Sequence, residues 1–151
     1  MEIGLYATTH GIGYRDNENF LARSLAAEQL RPVETAQLAE RLGFHSMWFP
    51  DHVCMPMASK SEHVANASGG RAYESRHTML DAAVVMGATA HVTSQLKLGT
   101  SVLIAPYRNP LSDARQFATI DQLSNGRLLF GVGAGWMQEE FAAIGIPYAE
   151  R

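Results

Sequence analysis

Short apolar runs alternate along this chain with segments whose apolar residues recur every three or four positions. EIGLYA (2–7) and HSMWF (45–49) read as strands, as do LKLGTSVLIA (96–105) and RLLFGVGAG (127–135). Between them, helical spacing runs through RPVETAQLAERLGF (31–44), where Val33, Ala36, Leu38, Ala39 and Leu42 share a stripe, Pro32 suits the first turn and Gly43 the stop. TMLDAAVVMGATAHV (78–92) and PLSDARQFATIDQLSNG (110–126) read as two more helices, and MQEEFAAIG (137–145) begins another. NFLARSLAAEQL (19–30) carries only a weak helical hint. Strand and helix alternate throughout, which is the α/β pattern and implies parallel strands. The near-continuous apolar runs SVLI and LLFGV suit a sheet covered on both faces.

The connections are asymmetric. Helix-to-strand returns are tight (GFH, TSQ, NGR). Strand-to-helix returns are long and carry the unusual residues: Thr8 to Leu30, Asp51 to His77, and Pro106 to Asn109. In a (β/α) barrel, chemistry sits at the C-terminal ends of the strands. Asp51-His52, which ends the second apolar run, therefore falls on the functional face by topology alone.

Composition narrows the classes. With 151 residues, 46% of them hydrophobic and 18% charged, the chain supports one modest core and a single domain over 1–151. A net charge of −3 gives no basic face for nucleic acid. One cysteine excludes an internal disulfide. No apolar run approaches the ~18 residues of a membrane span, and the start lacks a signal-peptide n-region, so a cytoplasmic protein is expected.

Three stretches carry candidate chemistry. Asp51-His52 with Cys54, His63 and His77 has zinc-type ligands but no zinc spacing, so no metal is expected. His52 alone suits a proton relay or a cofactor contact, and equally an ordinary loop histidine. GVGAGW (131–136) resembles a dinucleotide fingerprint, yet its third glycine is one position early and it follows the fourth strand. It offers side-chain-free backbone to a flat ligand, or simply tight packing. In GTSVLIAPYRNP (99–110), Gly99, Thr100 and Ser101 interrupt a β-branched strand, where a bulge or close approach is plausible, and Arg108 is available to an anion or to solvent.

LAERLGFHSMWFPDH, followed by LKLGTSVLIAPYRNPLSDARQFATIDQLSNGRLLFGVGAGWMQEEFAAIGIPYAER, resembles in composition and order the N-terminal half of the bacterial luciferase-like monooxygenase superfamily. The resemblance covers nearly the whole chain outside roughly 8–30 and 55–77. It implies the first four βα units of a (β/α)8 TIM barrel and a flavin or deazaflavin at the strand C-termini. GVGAGW-x-x-EEF looks most like the branch using coenzyme F-420; the alternative is an FMN-dependent monooxygenase. By resemblance, Asp51 and His52 lie against the cofactor ring with His52 catalytic in proton transfer. Ser101 and Val102 match a cis peptide backing the ring, and Gly133 and Gly135 match its backbone rim. Trp136 stands where the sugar-phosphate dehydrogenases of that branch carry a glutamate acid, which argues against their reaction.

The expected activity is hydride transfer through F-420 to or from an unidentified small organic molecule. The chain also resembles only half a barrel: the loops after strands seven and eight, which hold the phosphate end of such cofactors, are absent. Its first and fourth strands are expected to be open edges. A partner, either a second copy in a homo-oligomer or the remainder of a longer chain, is expected to cover them. A non-catalytic half-barrel subunit is the reading from another class.

Overall fold

The computed structural model describes residues 1–7, 9, 26–62, 75 and 77–151. Most of the polar stretch 8–25 and the loop segment containing His63 lie outside them. Four parallel strands form one sheet in the order β1 (Gly4–Tyr6), β2 (Ser46–Phe49), β3 (Lys97–Thr100), β5 (Leu128–Leu129). Beyond it, β4 (Leu103–Ile104) pairs in parallel with β6 (Val132–Gly133). β4 and β6 continue the third and fourth strands towards their C-termini, so the topology is the four-strand βα succession expected.

The third and fourth apolar runs are not continuous strands. The Ser101–Val102 peptide is cis, and here the ladder between the two strands changes hands. The Thr100 hydroxyl donates to the Gly131 carbonyl at 2.7 Å and accepts from the Gly131 amide at 2.9 Å, standing in for the backbone partner. A Cβ at Gly131 would run into the Thr100 carbonyl, so this approach requires glycine. Gly99 answers to a different neighbour: a Cβ there would overlap the Trp48 ring.

Register aligns Leu5, Met47, Leu98 and Leu128 across the sheet. These residues belong to the main core, which α2 (Pro32–Arg41), α3 (Ala82–Val92) and α4 (Pro110–Leu123) complete with Ala36, Ala39, Met86, Phe117 and Ile120. α2 buries its small residues, not its large ones: Leu38 and Leu42 are 47% and 66% exposed. Alanines at 36 and 39 let α2 approach α3 closely, and the leucines of the expected stripe fall beside that contact. α3 starts at Ala82, later than the pattern suggested, because the Asp81 carboxylate caps it by accepting from the Val84 amide at 3.0 Å. α4 is capped likewise by Asn109 and closed by Asn125 and Gly126, both at positive φ. The weak helical hint before residue 30 resolves into a single turn, α1 (Ala27–Leu30), among the described residues. α5 (Gln138–Ala143) follows β6.

The N-terminal end of the sheet is tied by two charged side chains. Glu40 accepts from the amides of Ser94, Gln95 and Leu96 at 2.8–3.0 Å. Although burial opposes its charge, these bonds lower its pKa to about 2. Arg127, 8% exposed, donates to the carbonyls of Ala90, Thr93, Leu96 and Ser124 and to the Thr93 hydroxyl. It thereby closes the orphan carbonyls where α3 and α4 end. No described helix is long and apolar enough to cross a membrane.

Candidate functional site

The strand C-termini converge on one cavity of about 320 Å³. Tyr6 reaches it from β1, Pro50, Asp51 and His52 from the end of β2, Ser101, Val102 and Ile104 from the cis segment, and residues 133–136 from the end of β6. The six residues expected against the cofactor, Asp51, His52, Ser101, Val102, Gly133 and Gly135, all line it. The two glycines allow close packing. A Cβ at Gly133 would meet the Val102 side chain at 2.6 Å, and Gly135, at φ +79°, lies against Ile104 and Phe141. The result is a floor of peptide backbone and aliphatic carbon, walled by Tyr6, His52 and Trp136. The His52 and Trp136 rings meet edge-on with centroids 6.5 Å apart.

Asp51 and His52 are neighbours in sequence but belong to different networks. The Asp51 side chain is 1% exposed and receives Arg108 through two bonds of 2.6 Å. It also accepts from the Ile104 amide at 3.0 Å. Arg108 is thus bound neither to a free anion nor to solvent alone. Burial works against its charge, but the Asp51 hydrogen bonds and charge outweigh that and raise its pKa. The pair fastens the end of β2 to the turn following β4.

His52 leads to a residue the sequence reading passed over. Its Nδ1 lies 2.9 Å from Oε2 of Glu140, a carboxylate with no exposed surface. Glu140 Oε1 accepts from the Val53 amide at 2.6 Å and the Cys54 amide at 3.1 Å, and Oε2 from the Tyr107 hydroxyl at 2.9 Å. Burial would raise the Glu140 pKa; the bonds from His52, Cys54 and Tyr107 overcome it and hold the carboxyl below its ordinary value. Burial, reinforced by the Glu140 charge, pushes the Cys54 thiol and the Tyr107 phenol up. Glu139, one residue earlier, takes the Ser59 hydroxyl and the amides of Lys60 and Ser61. Burial opposes its charge, and these bonds nevertheless carry its pKa down to about 2.

A signal for Glu140 was present. Met137, Glu140, Phe141 and Ile144 follow the i, i+3, i+4, i+7 spacing of a buried stripe, and Met137, Glu140 and Phe141 are all 0% exposed. A carboxylate at a core position of a helix requires several donors around it.

A second cavity of about 410 Å³ lies on another side of His52, with Cys54, His77, Tyr107 and Arg108 in its wall. Among the described residues, no group of three histidine, cysteine or acidic side chains is placed to hold a metal ion.

The profile of luciferase-like monooxygenases matches residues 1–151, and the chain belongs to that family. It is 33% identical over 122 residues to an uncharacterised protein of Mycobacterium tuberculosis, covering 81% of this chain and 43% of that one. An F-420-dependent glucose-6-phosphate dehydrogenase of Amycolatopsis mediterranei is 36% identical over 129 residues, with 83% and 34% covered. Among solved structures, an F-420-dependent secondary alcohol dehydrogenase bound to an F-420–acetone adduct superposes with a TM-score of 0.60 at 27% identity, covering 89% of this chain and 32% of that one. The chain therefore spans less than half the length of these relatives. Its four βα units correspond to the first half of their (β/α)8 barrel, and members of the family are oxidoreductases and monooxygenases.

Proposed function

We propose that this chain forms the cofactor-ring half of an F-420-dependent oxidoreductase acting on a small organic molecule. The observation that carries the reading is the placement of His52, held by a buried carboxylate in the wall of a cavity whose floor is backbone and aliphatic carbon. The fit to the cofactor is partial in an informative way. A volume of about 320 Å³ is at the small end for ligand pockets; it suits a flat ring system and not a phosphorylated tail. Gly133 and Gly135 lack the Cβ that would run into Val102, Ile104 and Phe141, so backbone and aliphatic side chains pack closely along this floor. The tail would be held by loops of the second half of the barrel.

A bound deazaflavin supplies hydride chemistry at its ring carbon C5. The chain's own residues do the rest. Val102 and Ile104 exclude water from one ring face. Tyr6 and Trp136 bound its sides. His52 gives or takes the proton that accompanies reduction or oxidation of the substrate. Asp51 does not touch the ring in this reading: three donors already occupy its carboxylate, and its part is to fix the turn that carries His52. Trp136 offers no carboxylic acid, so the sugar-phosphate substrate named for one relative is not proposed here. The open edges, β1 on one side and β5 with its continuation β6 on the other, where Tyr6 and Val132 are 51% and 55% exposed, would be covered by a second copy or by further βα units.

Titration with oxidised F-420, followed by fluorescence quenching, and separately with FMN, tests the reading. Saturable quenching by F-420 that His52→Ala or Val102→Asp weakens supports it. Tight FMN binding with no response to F-420 would move the protein to the flavin monooxygenases. No response to either would leave a non-catalytic half-barrel.

A further inference from the structure

We propose that Glu140 is a positioning residue that holds His52 in the Nδ1–H tautomer, so that Nε2 is the nitrogen that exchanges a proton. Four polar groups surround this carboxylate. The Val53 and Cys54 amides converge on Oε1, and an amide can only donate. Tyr107 and His52 converge on Oε2. A carboxylate accepting from two amides and the Tyr107 hydroxyl is held ionised even though it is fully buried, and an ionised carboxylate has no proton to offer. The hydrogen in the 2.9 Å contact must then sit on His52 Nδ1. Nε2 becomes the basic nitrogen of the neutral ring and the acidic one of the imidazolium. The lowered pKa of Glu140 agrees with this arrangement.

The second glutamate makes the anchor longer. Glu140 grips residues 53 and 54 and Glu139 grips residues 59–61. One edge of α5 therefore carries the loop that follows β2, and the orientation of the His52 ring is set by a helix that begins 86 residues later. The inference deepens the reading above: it relies on it only for the importance of the His52 proton, and its own content is a tautomer.

Long-range 1H–15N correlation of the histidine rings of the labelled protein decides it without cofactor or substrate. His52→Gln identifies the His52 signals by their loss. With the ring in its neutral form, the wild-type protein is expected to show a protonated Nδ1 and an unprotonated Nε2 for His52. In Glu140→Gln the Nδ1–H signature should be lost or mixed with the Nε2–H form, whereas Tyr107→Phe and Glu139→Gln, which leave the Glu140 carboxylate in place, should retain it. A wild-type His52 protonated at Nε2 overturns the proposal, whether or not Glu140→Gln folds. So does an unchanged Nδ1–H signature in a folded Glu140→Gln. Failure to bind F-420 would count against the proposed function and leave the tautomer unaffected.

Discussion

The two ends of the sheet use similar charged side chains to opposite effect. At the N-terminal end, Glu40 takes its bonds from residues 94–96 and Arg127 spans the ends of α3 and α4. Their partners are almost entirely backbone, and neither side chain borders the cavities around His52. At the C-terminal end, Asp51 binds Arg108, and Glu140 binds His52 and Tyr107, side chain to side chain around a cavity. A charge that closes backbone ends makes a fold rigid. A charge that grips another titratable side chain beside an opening prepares chemistry. What the carboxylates hold, not how many there are, distinguishes the end that carries the candidate site from the other.

Substitutions at the two ends should separate these roles. The largest loss is expected at Arg127. Replacing it with methionine orphans the carbonyls of Ala90, Thr93, Leu96 and Ser124 in a buried site. At ~1–3 kcal/mol for each buried group left unsatisfied, the urea midpoint should report a loss of about 3 kcal/mol or more. A loss below about 1 kcal/mol would mean that water replaces the guanidinium and that this end is not a rigid base.

Asp51→Asn comes next. It leaves Arg108, whose side chain is 20% exposed, without its carboxylate. Breaking one partner of a buried pair is worth ~3–5 kcal/mol, and the partial exposure puts this one at about 3. Here stability and cofactor affinity should fall together, because the same bond shapes the cavity wall. Full stability with weakened affinity would make Asp51 a direct ligand.

His52→Ala should show the reverse of Arg127→Met. The ring gives Glu140 one of its four donors, so denaturant unfolding should shift by only about 1 kcal/mol. Turnover of the assembled enzyme should fall by roughly 10² or more, the scale of a lost general acid or base. Normal turnover in a destabilised variant would make His52 a structural residue.

The contrast also explains what the sequence could reveal. Asp51-His52 stood out because an apolar run ended in two polar residues, and the bulge at Ser101-Val102 because small residues broke a β-branched strand. Both signals are local, and topology alone assigns them to one face of the barrel. Glu140 was hidden because periodicity counting treats any glutamate as outward-facing, although its spacing from Met137, Phe141 and Ile144 is that of a core position. The Asp51–Arg108 pair links residues 57 apart, and no local pattern announces such a contact. Leu38 and Leu42 misled in the other sense: a helix that buries alanines against its neighbour leaves its leucines beside the contact. The binding roles of His52, Ser101, Val102, Gly133 and Gly135 rest on the family resemblance; the structure adds that these residues line one cavity.

The smallest effect expected is at Glu40, and its dependence on pH identifies it as an effect of charge. Burial would raise this carboxyl, but the Leu96, Gln95 and Ser94 amides outweigh it and hold the group at about 2, below its ordinary 4.5. A group whose folded pKa is depressed contributes stability above its unfolded value and loses it as pH falls towards the folded one. The Glu40 contribution should therefore be complete above about pH 4.5 and vanish as pH approaches 2. Glu40→Gln keeps an acceptor but not the charge, so the variant should be less stable than wild type by about 1 kcal/mol at neutral pH. The two proteins should then converge on acidification through that window. Glu139, also near 2, titrates over the same range in both proteins, so only the difference between their pH curves reports the N-terminal end. A difference that persists unchanged down to pH 2 would assign the effect to shape and not to charge, and the two ends of the sheet would then differ less than their hydrogen bonds indicate.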